Sequence, residues 1–261
     1  MQLNRARILL TGASGGLGRE LARQLAGAGA ALLLAGRDHA RLSALAASLG
    51  ADAGCVCADL DRDAGVAALT GAAHQFGVNV LINNAGVGAF GLLESQPWPT
   101  IERVLATDLV APIHLTHALL PWLKAQPQAA IVNIGSTFGS LPFPGFAAYS
   151  AAKAGLRGFS QALRRELADS LVAVIHIAPR AIDTPLNSDA VNALNRALKS
   201  RSDAPDHVAR QVVAALRRGD GEHHFGFPER IFAWLNGVAP SLVDRGLANK
   251  LALVKQHSPS P

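Results

Sequence analysis

The sequence predicts an α/β protein in which helices flank a doubly wound parallel sheet within one domain. Six short apolar runs alternate with segments of helical periodicity along the chain. Hydrophobic residues make up 49% of the 261 residues and charged residues only 16%, as is typical of a compact globule. Since no linker-like stretch or solenoid-period repeat interrupts the pattern, we expect a single domain.

The first predicted unit is a strand, a glycine-rich turn and a helix. The strand covers residues 6–10, the helix ends near residue 29, and between them lies Thr11-Gly12-Ala13-Ser14-Gly15-Gly16-Leu17-Gly18. Glycines let the backbone approach a ligand closely, and a helix N-terminus offers unpaired N–H groups to a pyrophosphate. We therefore predict a dinucleotide-binding turn made of Gly12, Ser14, Gly15, Gly16, Leu17 and Gly18.

The second predicted strand, residues 30–35, ends at Gly36-Arg37-Asp38. In a dinucleotide-binding sheet this strand end meets the adenosine ribose, where a carboxylate would accept hydrogen bonds from the two hydroxyls. Gly36 stands there instead, with the guanidinium of Arg37 next to it, and a guanidinium suits a 2′-phosphate. Arg37 therefore favours NADP(H) over NAD(H). The alternative is that Arg37 is a solvated loop residue and Asp38 only caps the helix of residues 38–49.

The next two strand ends carry groups suited to a bound adenosine. After the predicted strand of residues 54–58, Asp59 and Leu60 offer a carboxylate and an apolar side chain to the edge and face of adenine. Asp61 is a candidate cap for the helix that runs to about residue 76. After the fourth strand, residues 78–82, we predict cofactor contacts and ties between neighbouring strands from Asn84, Ala85 and Gly86.

The fifth strand and the helix after it carry the candidate catalytic residues. The strand covers residues 129–135 and ends at Ser136, and Tyr149 and Lys153 stand at i and i+4 in the helix of residues 146–167, hence on one face. A phenol has an unperturbed pKa of about 10, and a nearby ammonium lowers it. Ser136, Tyr149 and Lys153 could together bind a carbonyl oxygen and deliver a proton to it.

The remaining segments are predicted more coarsely. Residues 98–124 are predicted to form one helical region. A kink is expected near Asp108, because Pro112 lies inside this region. Residues 172–178 form the sixth strand, residues 182–202 a mobile segment over the pocket, residues 208–218 an amphipathic helix and residues 224–227 the last strand. We divide the chain into a catalytic part, 1–228, and a C-terminal helical extension, 229–261, with Pro240 between two helical halves.

Taken in order, these motifs resemble those of the short-chain dehydrogenase/reductase family over about residues 5–228. The resemblance rests on the glycine-rich turn, Asp59, Asn83-Asn84-Ala85-Gly86, Ser136, Tyr149-Ser150-Ala151-Ala152-Lys153, and Pro179 with Thr184. It implies a Rossmann-type sheet of about seven strands and hydride transfer with a nicotinamide cofactor.

The resemblance also implies roles for single residues. Tyr149 would be the acid or base and Ser136 would position the substrate oxygen. Lys153 would lower the tyrosine pKa and bind the nicotinamide ribose. Cofactor contacts are further implied for Pro179, Ile182 and Thr184. Arg37 at the second strand end is similar to the pattern of NADP-preferring members.

Two residues depart from the family pattern. Asp108 stands where an Asn is usual. The main-chain carbonyl of that residue would still hold the water of a proton relay, so we count Asp108 among the catalytic residues, although its charge would offset part of the pull of Lys153 on Tyr149. Arg180 stands where Pro-Gly is usual, and either reaches the substrate mouth or a phosphate, or points to solvent.

Charge, hydropathy and cysteine content argue against several other classes of function. The net charge is +5 with a pI near 9.8, but the basic residues are not interleaved with aromatics in one block, so we expect no nucleic-acid partner. No apolar run reaches the roughly 18 residues of a membrane span, and the N-terminus lacks the pattern of a signal peptide. Cys55 and Cys57 are expected to be buried free thiols, and no metal site is expected. We expect a cytoplasmic protein.

We therefore expect an NADPH-dependent oxidoreductase that acts on an apolar carbonyl or alcohol, such as an acyl chain, a steroid-like compound or an aromatic ketone. A homodimer or homotetramer is expected. The alternatives are a non-catalytic NADP(H)-binding sensor or scaffold, and a 3-oxoacyl reductase that docks an acidic acyl carrier protein. The tail could cover the pocket, form a dimer face or touch a membrane surface. Packing against its own domain or a twin subunit is the favoured alternative.

Overall fold

Seven parallel strands form one sheet in the computed structural model, which describes residues 1–219 and 221–259. The strands are β1 Arg7–Thr11, β2 Ala31–Gly36, β3 Ala53–Cys57, β4 Val80–Asn83, β5 Ala129–Ile134, β6 Val172–Ala178 and β7 Glu222–His224. Their order is β3-β2-β1-β4-β5-β6-β7. The connections reverse direction between β1 and β4, which opens a crevice at the carboxyl ends of those strands. The predicted class, a single-domain doubly wound sheet, is confirmed.

The helices cover both faces of this sheet. They are α1 Gly16–Gly27, α2 His39–Leu49, α3 Asp63–Phe76, α4 Trp98–Leu105, α5 Ala111–Lys124, α6 Ala147–Glu166, α7 Asp189–Ala197, α8 Pro205–Arg218, α9 Glu229–Val238, α10 Pro240–Ala248 and α11 Leu251–His257. Along β1, Ile8 and Leu10 are buried in the cluster that includes α1 and α8, whereas Leu9 is buried in the cluster that includes α3 and α5. Because both faces are covered, the strands are continuously apolar.

The kink predicted near Asp108 is a single π-helical turn, Ala106–Val110, between α4 and α5. By length and composition, the continuous stretch Trp98–Lys124 could cross a membrane, whereas the sequence led us to expect no such stretch. Leu115, Leu119 and Leu123 are fully buried against the sheet, so the structure uses this stretch as a core helix.

Several predicted boundaries near the C-terminus were wrong. The last strand is Glu222–His224 rather than residues 224–227, since the chain turns at Gly226 with φ of 102°. The segment over the pocket contains α7, whose N-cap Ser188 accepts a hydrogen bond from the Val191 N–H. The tail holds three helices instead of two, because the chain breaks again between α10 and α11.

The two cysteines are free, but the pair is not buried as predicted. Cys55 is half-buried and Cys57 is exposed. Both lie on β3, which is an edge strand of the sheet and therefore less covered than its neighbours.

Candidate active site

The turn after β1 brings the backbone of two loops together. Gly12 has φ of 62°, and a Cβ placed on it would lie 2.7 Å from Ala85 Cα. The Asn84 amide donates to the carbonyl oxygens of Thr11 (2.9 Å) and Gly12 (3.2 Å). Thr11 Oγ1 accepts from the N–H groups of Asn84 and Ala85, at 3.0 Å each. The loop after β4 is therefore tied to the glycine-rich turn, as predicted for its amide side chain.

One cavity of about 950 Å³ lies in the crevice at the carboxyl ends of the strands. All of the sequence-predicted site residues line it: Gly12, Ser14, Gly15, Gly16, Leu17, Gly18, Arg37, Asp59, Leu60, Asn84, Ala85, Gly86, Asp108, Ser136, Tyr149, Lys153, Pro179, Ile182 and Thr184. The topology thus brings together residues that the sequence separates by more than 170 positions. Within the described ranges, no group of three or more His, Cys, Asp or Glu side chains is placed to hold a metal ion.

The end of the cavity beside β2 is rich in guanidinium groups. Arg37 is exposed, and Arg41 lines the same end, a residue that the sequence reasoning missed. The sequence could have indicated Arg41, because it lies four residues after Arg37, just past the start of α2. Asp38 caps α2, since its Oδ1 accepts from the Arg41 N–H at 3.0 Å and its Oδ2 lies 3.2 Å from Arg41 Nε. Two cations and one carboxylate therefore stand at this strand end.

The carboxylates after β3 differ from expectation in one respect. Asp61 does not cap α3, because the N-cap position is Arg62. Asp61 Oδ1 instead accepts a hydrogen bond from Thr107 Oγ1 at 2.7 Å, which links the loop after β3 to the π-helical turn. Asp59 Oδ1 accepts from the Asp61 N–H at 3.2 Å and still lines the cavity.

Ser136, Tyr149 and Lys153 converge on one side of the cavity. Ser136 follows β5, and its Oγ accepts from the Phe138 N–H at 3.1 Å. Lys153 Nζ donates to the main-chain oxygen of Ile134 at 3.2 Å and lies 5.7 Å from the centroid of the Tyr149 ring. The i, i+4 spacing on α6 therefore places the ammonium beside the phenol, as the sequence indicated.

Asp108 is the direct partner of Lys153. Its Oδ2 lies 3.0 Å from Lys153 Nζ and its Oδ1 accepts from the Val87 N–H at 2.7 Å. The side chains of Asp108 and Lys153 are 0% and 6% exposed, so the pair is buried. Burial raises the pKa of Asp108 although Lys153 acts to lower it. Burial also lowers the pKa of Lys153, but attraction to Asp108 and Tyr149 more than offsets this, and the net shift is upward.

The pKa of Tyr149 lies above its ordinary value, not below it as expected. Burial of the phenol is the largest cause, and Lys153 opposes it only in part. Asp108 adds a further upward shift, whereas a hydrogen bond with Ser136 acts downward. The sequence reasoning counted the charge of the ammonium but not the loss of water around the phenol.

A wall of aromatic rings stands next to Tyr149 and was missed as a site feature. Phe138 stacks on Phe143 with ring centroids 5.6 Å apart, and Phe146 lies 4.9 Å from Phe138 and 5.0 Å from Phe90. Phe138 and Phe146 both meet the Tyr149 ring edge-on at 6.4 Å. All four phenylalanines line the cavity. The sequence could have indicated this wall, because three phenylalanines lie between Ser136 and Tyr149.

Arg180 lines the cavity rather than pointing to solvent, and its guanidinium is paired with two carboxylates. Its Nε and Nη2 donate to Asp203 at 2.9 and 2.6 Å, and its Nη1 lies 3.6 Å from Glu229. Arg180 therefore joins the loop after β6 to the end of the segment over the cavity and to the start of α9.

Comparisons with known proteins agree with this architecture. Residues 6–195 match the family model described as short chain dehydrogenase. The chain is 34% identical to dehydrogenase/reductase SDR family member 7B of Bos taurus, over 94% of this chain and 81% of that protein. A short-chain dehydrogenase from Sphingobium yanoikuyae in complex with NADPH is 30% identical, with a TM-score of 0.78 over 94% of this chain and 95% of that one. A short chain dehydrogenase/reductase from Burkholderia phymatum in complex with NAD is 25% identical, with a TM-score of 0.83 over 93% and 96%.

Proposed function

The chain belongs to the short-chain dehydrogenase family and is an oxidoreductase that uses a nicotinamide cofactor, and from that premise we propose that it is an NADPH-dependent reductase of apolar carbonyl compounds. The single observation that supports the substrate class is the aromatic wall beside Tyr149. The two guanidinium groups at the end of β2 support the cofactor preference.

The residues present fit a dinucleotide. A Cβ on Gly16 would lie 2.6 Å from Thr184, and one on Gly86 would lie 3.3 Å from Asp108 and 3.6 Å from Lys153, so these positions are too tight for a side chain and the chain lines the cavity there with backbone. The turn at the start of α1 would hold the pyrophosphate. Lys153 would hold the nicotinamide ribose, and Pro179, Ile182 and Thr184 would hold the nicotinamide end. The bound cofactor supplies the hydride.

The chain's own groups would orient the carbonyl and supply the proton. The Ser136 hydroxyl would donate a hydrogen bond to the substrate oxygen, and the Tyr149 hydroxyl would transfer its proton to that oxygen as negative charge develops on it. The phenol is protonated at neutral pH even at its ordinary pKa of about 10, and burial shifts that pKa further upward, which suits the reductive direction. The Lys153 ammonium would stabilise the phenolate that remains.

The preference for NADPH is supported by charge. Arg37 and Arg41 line the cavity where a 2′-phosphate would lie, and Asp38 can neutralise only one of them. The similar solved structures include complexes with NADPH and with NAD, so similarity alone does not decide between the two cofactors.

The substrate would lie against the phenylalanine wall. Leu141 extends the apolar lining, and Leu186 and Val191 extend it on the side of α7. Rings and branched aliphatic groups favour an apolar substrate of medium size, because burying such a substrate removes apolar surface from water. We further propose a cytoplasmic homodimer or homotetramer.

The test is NADPH oxidation, followed by absorbance, against a panel of aromatic ketones, steroid-like ketones and 3-oxoacyl thioesters. We expect turnover with NADPH that falls at least about a thousandfold in Tyr149→Phe, since that variant lacks the transferable proton. Arg37→Ser should raise the KM for NADPH about tenfold or more and leave the KM for NADH unchanged. Arg23→Ser, which removes an exposed arginine away from the cavity, is the matched control.

Three results would contradict parts of the proposal. Equal KM values for NADH and NADPH in the wild type would overturn the cofactor preference. Turnover confined to small polar carbonyls would overturn the substrate class. Tight NADPH binding without turnover on any compound would favour the non-catalytic sensor.

A further inference from the structure

The first helix of the tail, α9, has two opposite faces. Glu229 and Asn236, seven residues apart, face the body of the protein, where Glu229 meets Arg180 and Asn236 donates to the Ser140 carbonyl oxygen at 2.9 Å. At about 100° per residue, Ile231, Trp234 and Val238 lie on the other side of the helix. Their exposed fractions are 49%, 66% and 61%. The outer face of α9 is thus apolar and open to solvent.

Further exposed apolar side chains stand near this face in the sequence. Among the described residues, seven of the twelve exposed large hydrophobic side chains fall within the short stretch from Phe227 to Leu251: Phe227, Ile231, Phe232, Trp234, Val238, Leu242 and Leu251. Single exposed apolar residues need no explanation, but such a concentration marks an interaction surface. We call these seven side chains the tail patch.

The charges around the tail patch are mostly positive. Four exposed cations stand among or just after the patch residues: Arg230, Arg245, Lys250 and Lys255. Asp244 is the only exposed carboxylate in α9, α10 and α11, because Glu229 points inward to Arg180. The surface is therefore complementary to a negatively charged partner.

A second copy of this chain is a poor occupant of the tail patch. In a two-fold dimer the same patch would meet itself, so the four cations would approach four like charges. The cores of protein interfaces are also depleted in lysine. Helices that combine exposed Trp, Phe and Ile with Arg and Lys are typical of anionic lipid surfaces, where the apolar side chains enter the interface and the cations pair with headgroups.

The helices that carry the tail patch border the cavity. Glu229 at the start of α9 and Pro259 after α11 both line the cavity. Val254 of α11 is fully buried, in one cluster with Phe146 of the aromatic wall and Leu194 of α7. A surface bound by the tail would therefore stand close to the cavity.

We propose that the tail patch binds the surface of an anionic lipid bilayer and so places the cavity mouth at the membrane, where apolar substrates are concentrated. The proposed lipid contact is inferred only from the tail patch and the charges around it, whereas substrate entry from the bilayer rests on the proposed function. A binding measurement therefore separates failure of this inference from failure of the proposed activity.

The test is sedimentation of the full-length protein with vesicles of phosphatidylcholine alone or mixed with phosphatidylserine. We expect binding to the mixed vesicles that weakens with added salt, and little binding to the neutral ones. Trp234→Ser should weaken that binding about tenfold, because it removes a large apolar side chain from the interface. Trp98→Ser, which removes a tryptophan with 62% exposure on α4, should bind as the wild type does.

Charge reversal tests the electrostatic part separately. Arg245→Glu combined with Lys250→Glu should remove the preference for phosphatidylserine, and both sites are exposed, so folding should be retained. Two outcomes would overturn the proposal. One is no vesicle binding by a folded wild type. The other is a dimer that Trp234→Ser dissociates in size-exclusion chromatography, which would show that a second copy covers the patch.

Discussion

The carboxylate of Asp108 is the direct partner of Lys153, for which we propose a catalytic role, and its charge acts on Tyr149 as well. It lies 3.0 Å from Lys153 Nζ and raises the pKa of Tyr149. Asp108→Asn keeps the shape of the side chain and its acceptor for the Val87 N–H but removes the charge. We expect the alkaline limb of kcat/KM for carbonyl reduction to move about one pH unit lower, since the phenol then loses its proton more easily.

The control for this prediction is Asp63→Asn, which removes a carboxylate that is 99% exposed and lies outside the cavity. It should leave the pH profile unchanged. If the profile of Asp108→Asn stays at the wild-type position, Asp108 carries no charge over that pH range. If the profile moves to higher pH, the assignment of Tyr149 as the proton donor is wrong.

Arg180 joins three elements that surround the cavity. Its paired hydrogen bonds hold Asp203 at the end of the segment that contains α7, and its Nη1 faces Glu229 of α9. Arg180→Ala would leave both carboxylates, which are 12% and 26% exposed, without this cation. We expect a loss of about 2 kcal/mol in the free energy of unfolding, a few degrees in Tm, and faster proteolysis within residues 182–203.

Arg210→Ala is the matched control, since Arg210 pairs with Asp206 at the surface of α8 with both side chains about half exposed. It should change neither Tm nor proteolysis, because exposed pairs contribute little. An Arg180→Ala protein with unchanged proteolysis of residues 182–203 would show that the segment is held by α7 packing alone.

The stability of the whole molecule should depend on pH through His176. This residue of β6 is fully buried, and burial lowers its pKa to about 3 despite the attraction of Glu222. The unfolded chain binds a proton near pH 6.5, whereas the folded chain stays neutral, so stability falls as pH drops from about 6.5 toward 3. Between about pH 7.5 and pH 5 we expect a loss of about 2 kcal/mol from this residue.

The measurement is urea unfolding at several pH values, for the wild type and for His176→Gln. The variant should unfold with a shallower dependence on pH, because glutamine does not titrate. Glu222 contributes to the pH dependence of stability that remains in the variant. Burial acts to raise the pKa of Glu222, but hydrogen bonds from His224, Gln161 and Arg157 more than offset this, and the net shift is downward. Equal slopes in the two proteins would contradict the assignment to His176.

The sequence by itself determined the succession of β1 to β6 along the chain and the position of the candidate residues relative to them. Apolar runs of strand length and helical periodicity are local properties, so β1 to β6 were predicted within one or two residues. The glycine-rich turn and the pair Tyr149 and Lys153 are local as well, since spacing along one element fixes which side chains share a face. Because parallel strands bring their carboxyl ends to one edge, the sequence also indicated that these residues meet there.

Only the tertiary structure decided how the neighbours of each group act on it. The upward shift of the Tyr149 pKa depends on burial by chain segments distant in sequence, and Arg180 pairs with Asp203 and Glu229 beside the cavity that it lines rather than pointing to solvent. The aromatic wall and the outward face of α9 likewise follow from which side of each helix packs against the body. Desolvation and long-range pairing depend on atoms brought together from different parts of the chain, and local sequence patterns do not encode those contacts.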